Sequence, residues 1–100
     1  MTRLISAAAA AFALLGAVPA LAQGAYYVAK PAAGFDKASL VTRNTVWKCA
    51  DGVCLAQKAA DRPAIMCELV ARNVGKLEQF AVAGAQFDAA ALDKCNARAK

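Results

Sequence analysis

The sequence predicts an α+β fold: a small disulfide-stapled domain in which an antiparallel β-hairpin or sheet packs with two short helices. Three observations lead to this class. An Asp-Gly turn joins two β-rich runs in the first half of the chain. Two segments with helical spacing and capping residues follow in the second half. Four cysteines are spread over the domain, as in small stapled folds.

The N-terminus has the three parts of a secretory signal peptide. Arg3 gives it a positive start, residues 4–18 are almost wholly apolar, and an Ala-Leu-Ala sequence ends at Ala22. The apolar run is shorter than the roughly 20 residues of a membrane-spanning helix, so we expect no stable membrane anchor after cleavage. The predicted organisation is a signal peptide over residues 1–22 and one domain over residues 23–100. Such a protein is periplasmic or secreted.

The charge and size of the mature chain limit its function and its core. The 78 residues after the signal peptide carry eleven Lys and Arg against seven Asp and Glu, a net charge of +4. These positive charges are scattered, so they indicate solubility and predict no nucleic-acid partner. A chain this short buries a thin core and commonly needs a covalent or metal staple.

The cysteines are the candidates for that staple, and an even number in an exported chain predicts two disulfides. They are Cys49, Cys54, Cys67 and Cys95. Of three possible pairings, geometry favours one, because a type I′ turn at Asp51-Gly52 places Cys49 opposite Cys54. In such a non-hydrogen-bonded pair the Cα atoms approach to about 4.5 Å, which a disulfide tolerates. Cys67 then pairs with Cys95.

A zinc site is the competing interpretation of four cysteines. Zinc sites usually present close cysteine pairs twice, whereas here only Cys49 and Cys54 are close, and the sequence contains no histidine. A Cys-x-x-Cys redox motif is absent as well. We therefore expect no metal ligand, no cofactor and no thiol oxidoreductase.

The first half of the domain is predicted to form three strands, at residues 23–30, 40–48 and 53–57. Valine, threonine and aromatic residues favour a pleated surface in these runs. The register set by the Asp-Gly turn assigns the side chains of the hairpin to two faces. One face holds Trp47, Cys49, Cys54 and Ala56, and the other holds Val46, Ala50, Val53 and Leu55.

A helix is predicted at residues 63–74. A proline suits its first turn, and Asp61 is a candidate cap. Glu68 and Arg72 have the spacing of an ion pair on the outer face of a helix. Cys67 lies on the apolar arc of the same helix and therefore faces inward.

The remaining elements are a strand at residues 77–82 and a second helix that begins after Asp88. Gly75 is placed to end the first helix, and Asp88 is a good N-cap for the second. Docking of the second helix on the first brings Cys95 to Cys67.

The functional residues of the sequence are few. Catalysis at neutral pH most often recruits histidine, which is absent, and no glycine-rich phosphate loop occurs. We expect no catalytic residue and no enzyme. Trp47, Tyr26 and Tyr27 are candidates for a binding surface, since exposed aromatic side chains bind partners. The alternative for Trp47 is a core position packed on the disulfide.

Several short elements of the sequence also resemble a family of small exported bacterial proteins of unknown function, over about residues 25 to 97. They are Val46-Trp47-Lys48-Cys49 with Cys54, Arg62-Pro63, Cys67-Glu68-Leu69, Gly75, Phe80, Leu92 and Cys95-Asn96. The resemblance implies an exported four-cysteine protein, and it implies no activity or substrate.

Together these observations predict an exported, non-enzymatic domain that binds an unknown protein or envelope component. A small periplasmic enzyme or metal-handling protein that uses its cysteines is the alternative. A purely structural role at the cell envelope is a third reading of the same sequence.

Overall fold

The computed structural model describes residues 24–99, and the predicted signal peptide lies outside this range. The strands are β1 (Tyr27–Pro31), β2 (Ser39–Thr42), β3 (Thr45–Ala50), β4 (Val53–Ala56), β5 (Leu77–Val82) and β6 (Ala85–Gln86), and the helices are α1 (Pro63–Val74) and α2 (Ala89–Asn96). The strands form one antiparallel sheet in the order β2-β3-β4-β1-β5-β6. Both helices pack on one face of this sheet. The predicted α+β class is confirmed.

The β3–β4 hairpin has the predicted register. Asp51 and Gly52 both adopt positive φ, at 55° and 78°, and Cys49 lies opposite Cys54. A disulfide joins these two cysteines, whose Cα atoms are 4.0 Å apart. A second disulfide joins Cys67 in α1 to Cys95 in α2. Both predicted pairings are therefore present, one within the sheet and one between the helices.

The prediction of a single strand over residues 40–48 is wrong, because the chain turns back between β2 and β3. Thr42 pairs with Thr45, and Arg43 and Asn44 form the turn. Arg43 adopts a φ of 52°, in the left-handed region that favours glycine. Its Nη1 lies 3.1 Å from Oδ1 of Asp61, an ion pair that fixes the turn to the chain before α1.

Two carboxylates of α1 and its N-terminal flank have other partners than predicted. The N-cap is Arg62, without a side-chain cap, because Asp61 pairs with Arg43 instead. Glu68 lies 4.0 Å from Nε of Arg98 beyond α2, in place of the predicted partner four residues on. Gly75 ends α1 with a φ of 92°, as predicted. The predicted N-cap of α2 is also confirmed, since the Asp88 carboxylate accepts a hydrogen bond from the Ala91 amide.

The core lies between the helices and one face of the sheet, and its centre is aromatic. The rings of Tyr27 and Trp47 are 6.0 Å apart, and those of Trp47 and Phe80 are 6.5 Å apart. Met66 and Val70 of α1 cover them. The indole N–H of Trp47, buried with the ring, needs an internal acceptor. The Thr42 hydroxyl supplies it at 2.9 Å.

Burial raises the pKa of the Tyr27 phenol above its usual value of 10.0, and the nearby Tyr26 adds to the rise. The phenol ionises at the usual value in the unfolded chain. The contribution of Tyr27 to the free energy of unfolding is therefore fully present below about pH 10 and is lost as pH rises through the native pKa. In a Tyr26→Phe variant, Tyr27 is the one tyrosine, and its titration can be followed by phenolate absorbance. The midpoint of this titration should lie at a higher pH for the native protein than for the protein in urea. Coincident midpoints would contradict this burial effect.

The side chain of Asn96 fixes the start of β5. Its Oδ1 accepts a hydrogen bond from the Leu77 amide at 2.8 Å, and its Nδ2 donates to the Leu77 carbonyl at 2.9 Å. Leu77 pairs with Pro31, which has no backbone N–H, at a point where the register shifts. Asn96 therefore supplies partners to a buried residue at an irregular place in the sheet. This gives a structural role to the Cys-Asn element of the sequence.

Replacing Asn96 with alanine should lower the free energy of unfolding by about 2 to 3 kcal/mol, because both polar groups of Leu77 lose their partners. Urea unfolding followed by circular dichroism measures this change. Asn73→Ala is the matched control, since the side-chain amide of Asn73 donates a hydrogen bond to the Leu69 carbonyl on the exposed side of α1. It should shift stability by less than about 0.5 kcal/mol. Equal effects of the two substitutions would contradict the role of Asn96.

Candidate binding groove on the open sheet face

The sheet face opposite the helices is open and largely aliphatic. Its aliphatic members alternate with the core residues along the strands: Val28, Val41, Val46, Ala50, Val53, Leu55 and Ala81, the last of which is buried. The polar residues of the same face include Lys30, Ser39, Lys48 and Gln79. Val41 is 60% exposed and Val46 is 53% exposed, which is unusual for side chains of this kind in neighbouring strands. The predicted assignment of the hairpin residues to two faces is correct, and the open face is the one without Trp47.

A groove with a volume of about 510 Å³ runs along the β3–β4 hairpin on this face. Val46, Val53 and Leu55 give it aliphatic walls, and Lys48 lies among them. The turn at Asp51 marks one end of the groove. Gly24, Ala25 and Gln57 mark the other end. We call this feature the groove.

A second depression of about 560 Å³ continues the groove beyond Gln57 and Val46, which line both. Its charged residues are Arg43, Lys58 and Asp61. Asp61 pairs with Arg43, which leaves the charge of Lys58 in excess, and we call this depression the basic end. Nζ of Lys58 lies 5.6 Å from the centre of the Tyr26 ring, a cation–π contact that holds the lysine at this edge of the sheet.

Two lysines give this surface its positive potential. In the described part of the chain the ion pairs are Lys30–Glu78, Arg43–Asp61 and Arg98–Glu68. Within residues 24–99, therefore, neither Lys48 nor Lys58 has a carboxylate at salt-bridge distance. Uncompensated ammonium groups beside an apolar wall attract a ligand that combines negative charge with apolar surface.

The floor of the groove offers side chains rather than backbone groups. β3 is paired on both sides, with β2 and β4, and β4 is paired on both sides, with β3 and β1. Their backbone N–H and C=O groups are thus engaged within the sheet. A ligand on this floor meets methyl and methylene groups and the Lys48 ammonium.

The structure separates the three aromatic residues that the sequence suggested as a binding surface. Trp47 and Tyr27 are 0% and 1% exposed, so they form no surface, and the core position that the sequence offered as the alternative for Trp47 is the one it occupies. They belong to the face that the helices cover, where bulky rings bury the most apolar area. Tyr26 is half-buried and flanks the basic end through its contact with Lys58. The hairpin still provides the candidate site, but with its other face.

The cysteines contribute structure here and not ligands. All four are oxidised in the two disulfides. Among residues 24–99, no three His, Cys, Asp or Glu side chains are grouped to hold a metal ion. Neither α1 nor α2 is long and apolar enough to cross a bilayer. Disulfides of this kind form in oxidising, extracellular-type environments.

The fold and the groove define a small disulfide-stapled α+β domain with one apolar sheet face left open. The model of DUF8200, a family of unknown function, matches residues 7–97, and the chain belongs to this family. No curated protein and no solved structure matches the chain. Membership of a family of unknown function is thereby confirmed, while export, bacterial origin and the cysteine pattern of the family stay predictions.

Proposed function

We propose that the protein is an exported, non-enzymatic binding domain of the periplasm or the extracellular space. The groove holds an apolar, negatively charged component of the cell envelope. One observation carries this proposal: an aliphatic sheet face stands open beside two lysines, Lys48 and Lys58, that have no carboxylate at salt-bridge distance within residues 24–99. Exposed apolar surface of this kind is typical of interaction sites.

Export is supported by the predicted signal peptide over residues 1–22 and by the two disulfides. The non-enzymatic part is supported by the chemistry of the carboxylates. Asp61, Glu68 and Glu78 are in ion pairs, and Asp88 caps α2. The sequence also has no histidine, the side chain that general acid–base catalysis recruits most often.

Site-specific photocrosslinking in living cells tests the proposal. A photoreactive side chain replaces Val46 in the groove or, as control, Asn73 on the exposed side of α1. We expect the Val46 position to give adducts whose added mass is that of a small apolar molecule, measured on the intact purified protein. The Asn73 position should give none.

Three outcomes of this experiment would overturn the proposal. The first is equal labelling from the two positions, which indicates nonspecific capture. The second is a groove adduct with another polypeptide, which makes the surface a protein interface. The third is the absence of any adduct from Val46, when the same photoreactive side chain crosslinks efficiently to detergent added to the purified protein.

A further inference from the structure

We propose that the ligand of the groove is a long-chain fatty acid, whose acyl chain lies along the β3–β4 hairpin and whose carboxylate is at the basic end. This inference rests on the proposed function and specifies its ligand. The volume of the site, the pairing of the backbone groups in its floor and the position of its charges each support it.

The backbone groups in the floor of the groove are already hydrogen-bonded, which favours an acyl chain over a peptide as the ligand. A peptide laid flat on β3 and β4 would lose water from its own N–H and C=O groups, and the floor has no free backbone groups to replace that water. An acyl chain has no such groups to satisfy. The methyl groups of Val46, Val53 and Leu55 therefore suit a hydrocarbon chain best.

The charged residues at the two ends of the groove determine the direction of the fatty acid. Asp51 lies at one end of the groove, where its carboxylate repels another carboxylate. At the other end, Asp61 is paired with Arg43, and Lys58 supplies the uncompensated positive charge. A fatty acid consequently places its methyl end near Asp51 and its carboxylate near Lys58. Lys48 lies alongside the chain and adds attraction from the side.

The dimensions of the site agree with a single chain. The volume of the groove, about 510 Å³, lies within the range of about 300 to 1,000 Å³ that is usual for small-molecule sites. Its lining residues follow one hairpin from its turn to the far end of its strands.

A second copy of the chain fits this face less well. Two-fold packing of the open face on itself, about an axis along the hairpin, would bring Lys48 and Lys58 of one copy close to the same lysines of the other. The protein also carries a formal net charge of +5 before cleavage and +4 after it, which opposes self-association. Self-association is nevertheless a measurable outcome of the test below.

Calorimetric titration of the mature, oxidised protein with dodecanoate, tetradecanoate and hexadecanoate, each below its micelle concentration, tests the inference. Affinity should rise with chain length, by up to about fourfold for each methylene that becomes fully buried. Dodecyltrimethylammonium, which has nearly the same chain length as dodecanoate and the opposite charge, should bind at least about tenfold more weakly, because Lys58 and Lys48 repel its head group.

Matched variants locate the ligand on the surface. Leu55→Gln should weaken tetradecanoate binding about tenfold through lost apolar contact, and Lys58→Gln about fivefold through a lost charge-assisted contact. Val41→Gln is the control for the first, since Val41 shares the open face but not the groove. Lys37→Gln is the control for the second. Both controls should keep the wild-type affinity, and circular dichroism and urea midpoints should show that all four variants fold.

The inference is overturned if no fatty acid binds, if affinity is independent of chain length, or if the control variants lose as much affinity as the groove variants. It is also overturned if light scattering shows that the groove residues hold two copies together, or if the protein binds anionic phospholipid vesicles but not free fatty acids. A small apolar adduct at Val46 without fatty-acid binding would reject this ligand and leave the proposed function standing. Loss of the Val46 adduct would reject both.

Discussion

Replacing Trp47 with alanine should lower the free energy of unfolding by about 3 to 5 kcal/mol, the largest loss expected from any single substitution in this domain. The predicted mature domain of 78 residues should have a total free energy of unfolding of about 4 to 12 kcal/mol, so much of the variant population should be unfolded. The indole ring is fully buried against Tyr27 and Phe80, and its removal leaves a cavity among rigid neighbours. The Thr42 hydroxyl loses its buried donor at the same time.

Urea unfolding followed by far-ultraviolet circular dichroism measures this loss without relying on tryptophan fluorescence. Val46→Ala is the control, because Val46 precedes Trp47 in β3 and points to the open face, where it is 53% exposed. It should cost less than about 1 kcal/mol. If Trp47→Ala were as stable as Val46→Ala, the assignment of the two faces of the sheet would be incorrect.

Removal of the disulfide between the helices has the second largest expected effect. The double variant Cys67→Ala/Cys95→Ala opens a loop with a sequence separation of 28, which the chain-entropy model values at about 3.6 kcal/mol. The effect falls on α2 in particular. This helix has eight residues, and Cys95 is its one buried residue. Without the bond it keeps the packing of the partly buried Leu92 and the Asn96 hydrogen bonds to β5.

The second disulfide provides the comparison. Cys49→Ala/Cys54→Ala opens a loop with a sequence separation of 5, for which the same model gives about 2 kcal/mol. The hairpin also keeps its turn and its pairing with β1 and β2. We expect the interhelical variant to unfold at the lower urea concentration, with α2 exchanging its amide protons first. The reverse order of stability would contradict the proposed role of the Cys67–Cys95 bond.

Local signals explain why parts of this fold are predictable from the sequence. Residues 63–74 match α1 because a proline at its start and Gly75 at its end act within a few residues of themselves. The pairing of the cysteines follows from the turn at Asp51-Gly52, which sets the register of the hairpin.

Other parts depend on contacts between distant segments and could not be predicted in this way. β1 lies between β4 and β5, so Tyr27 pairs with Ala56 on one side and Val82 on the other. The turn at Arg43 adopts a conformation that residue preferences assign to glycine, and its partner Asp61 lies 18 residues away.

The candidate site shows the same division. Alternation along the hairpin separates Val46 and Leu55 from Trp47, but both faces are partly apolar, and only the helices determine which one is covered. The bulky rings are on the covered face. The open surface is therefore the face of the hairpin opposite Trp47. The basic end brings Arg43 and Lys58 together through the fold, and no sequence spacing indicates it.

Intact mass of the protein taken directly from its cells, with and without reduction before alkylation, tests the central claim most directly. We expect a chain that begins at Gln23, lacks residues 1–22, and accepts alkyl groups on four cysteines only after reduction. Full-length protein in the cytosol with four reactive thiols would contradict the account, because neither the stapled sheet nor an envelope ligand would then apply.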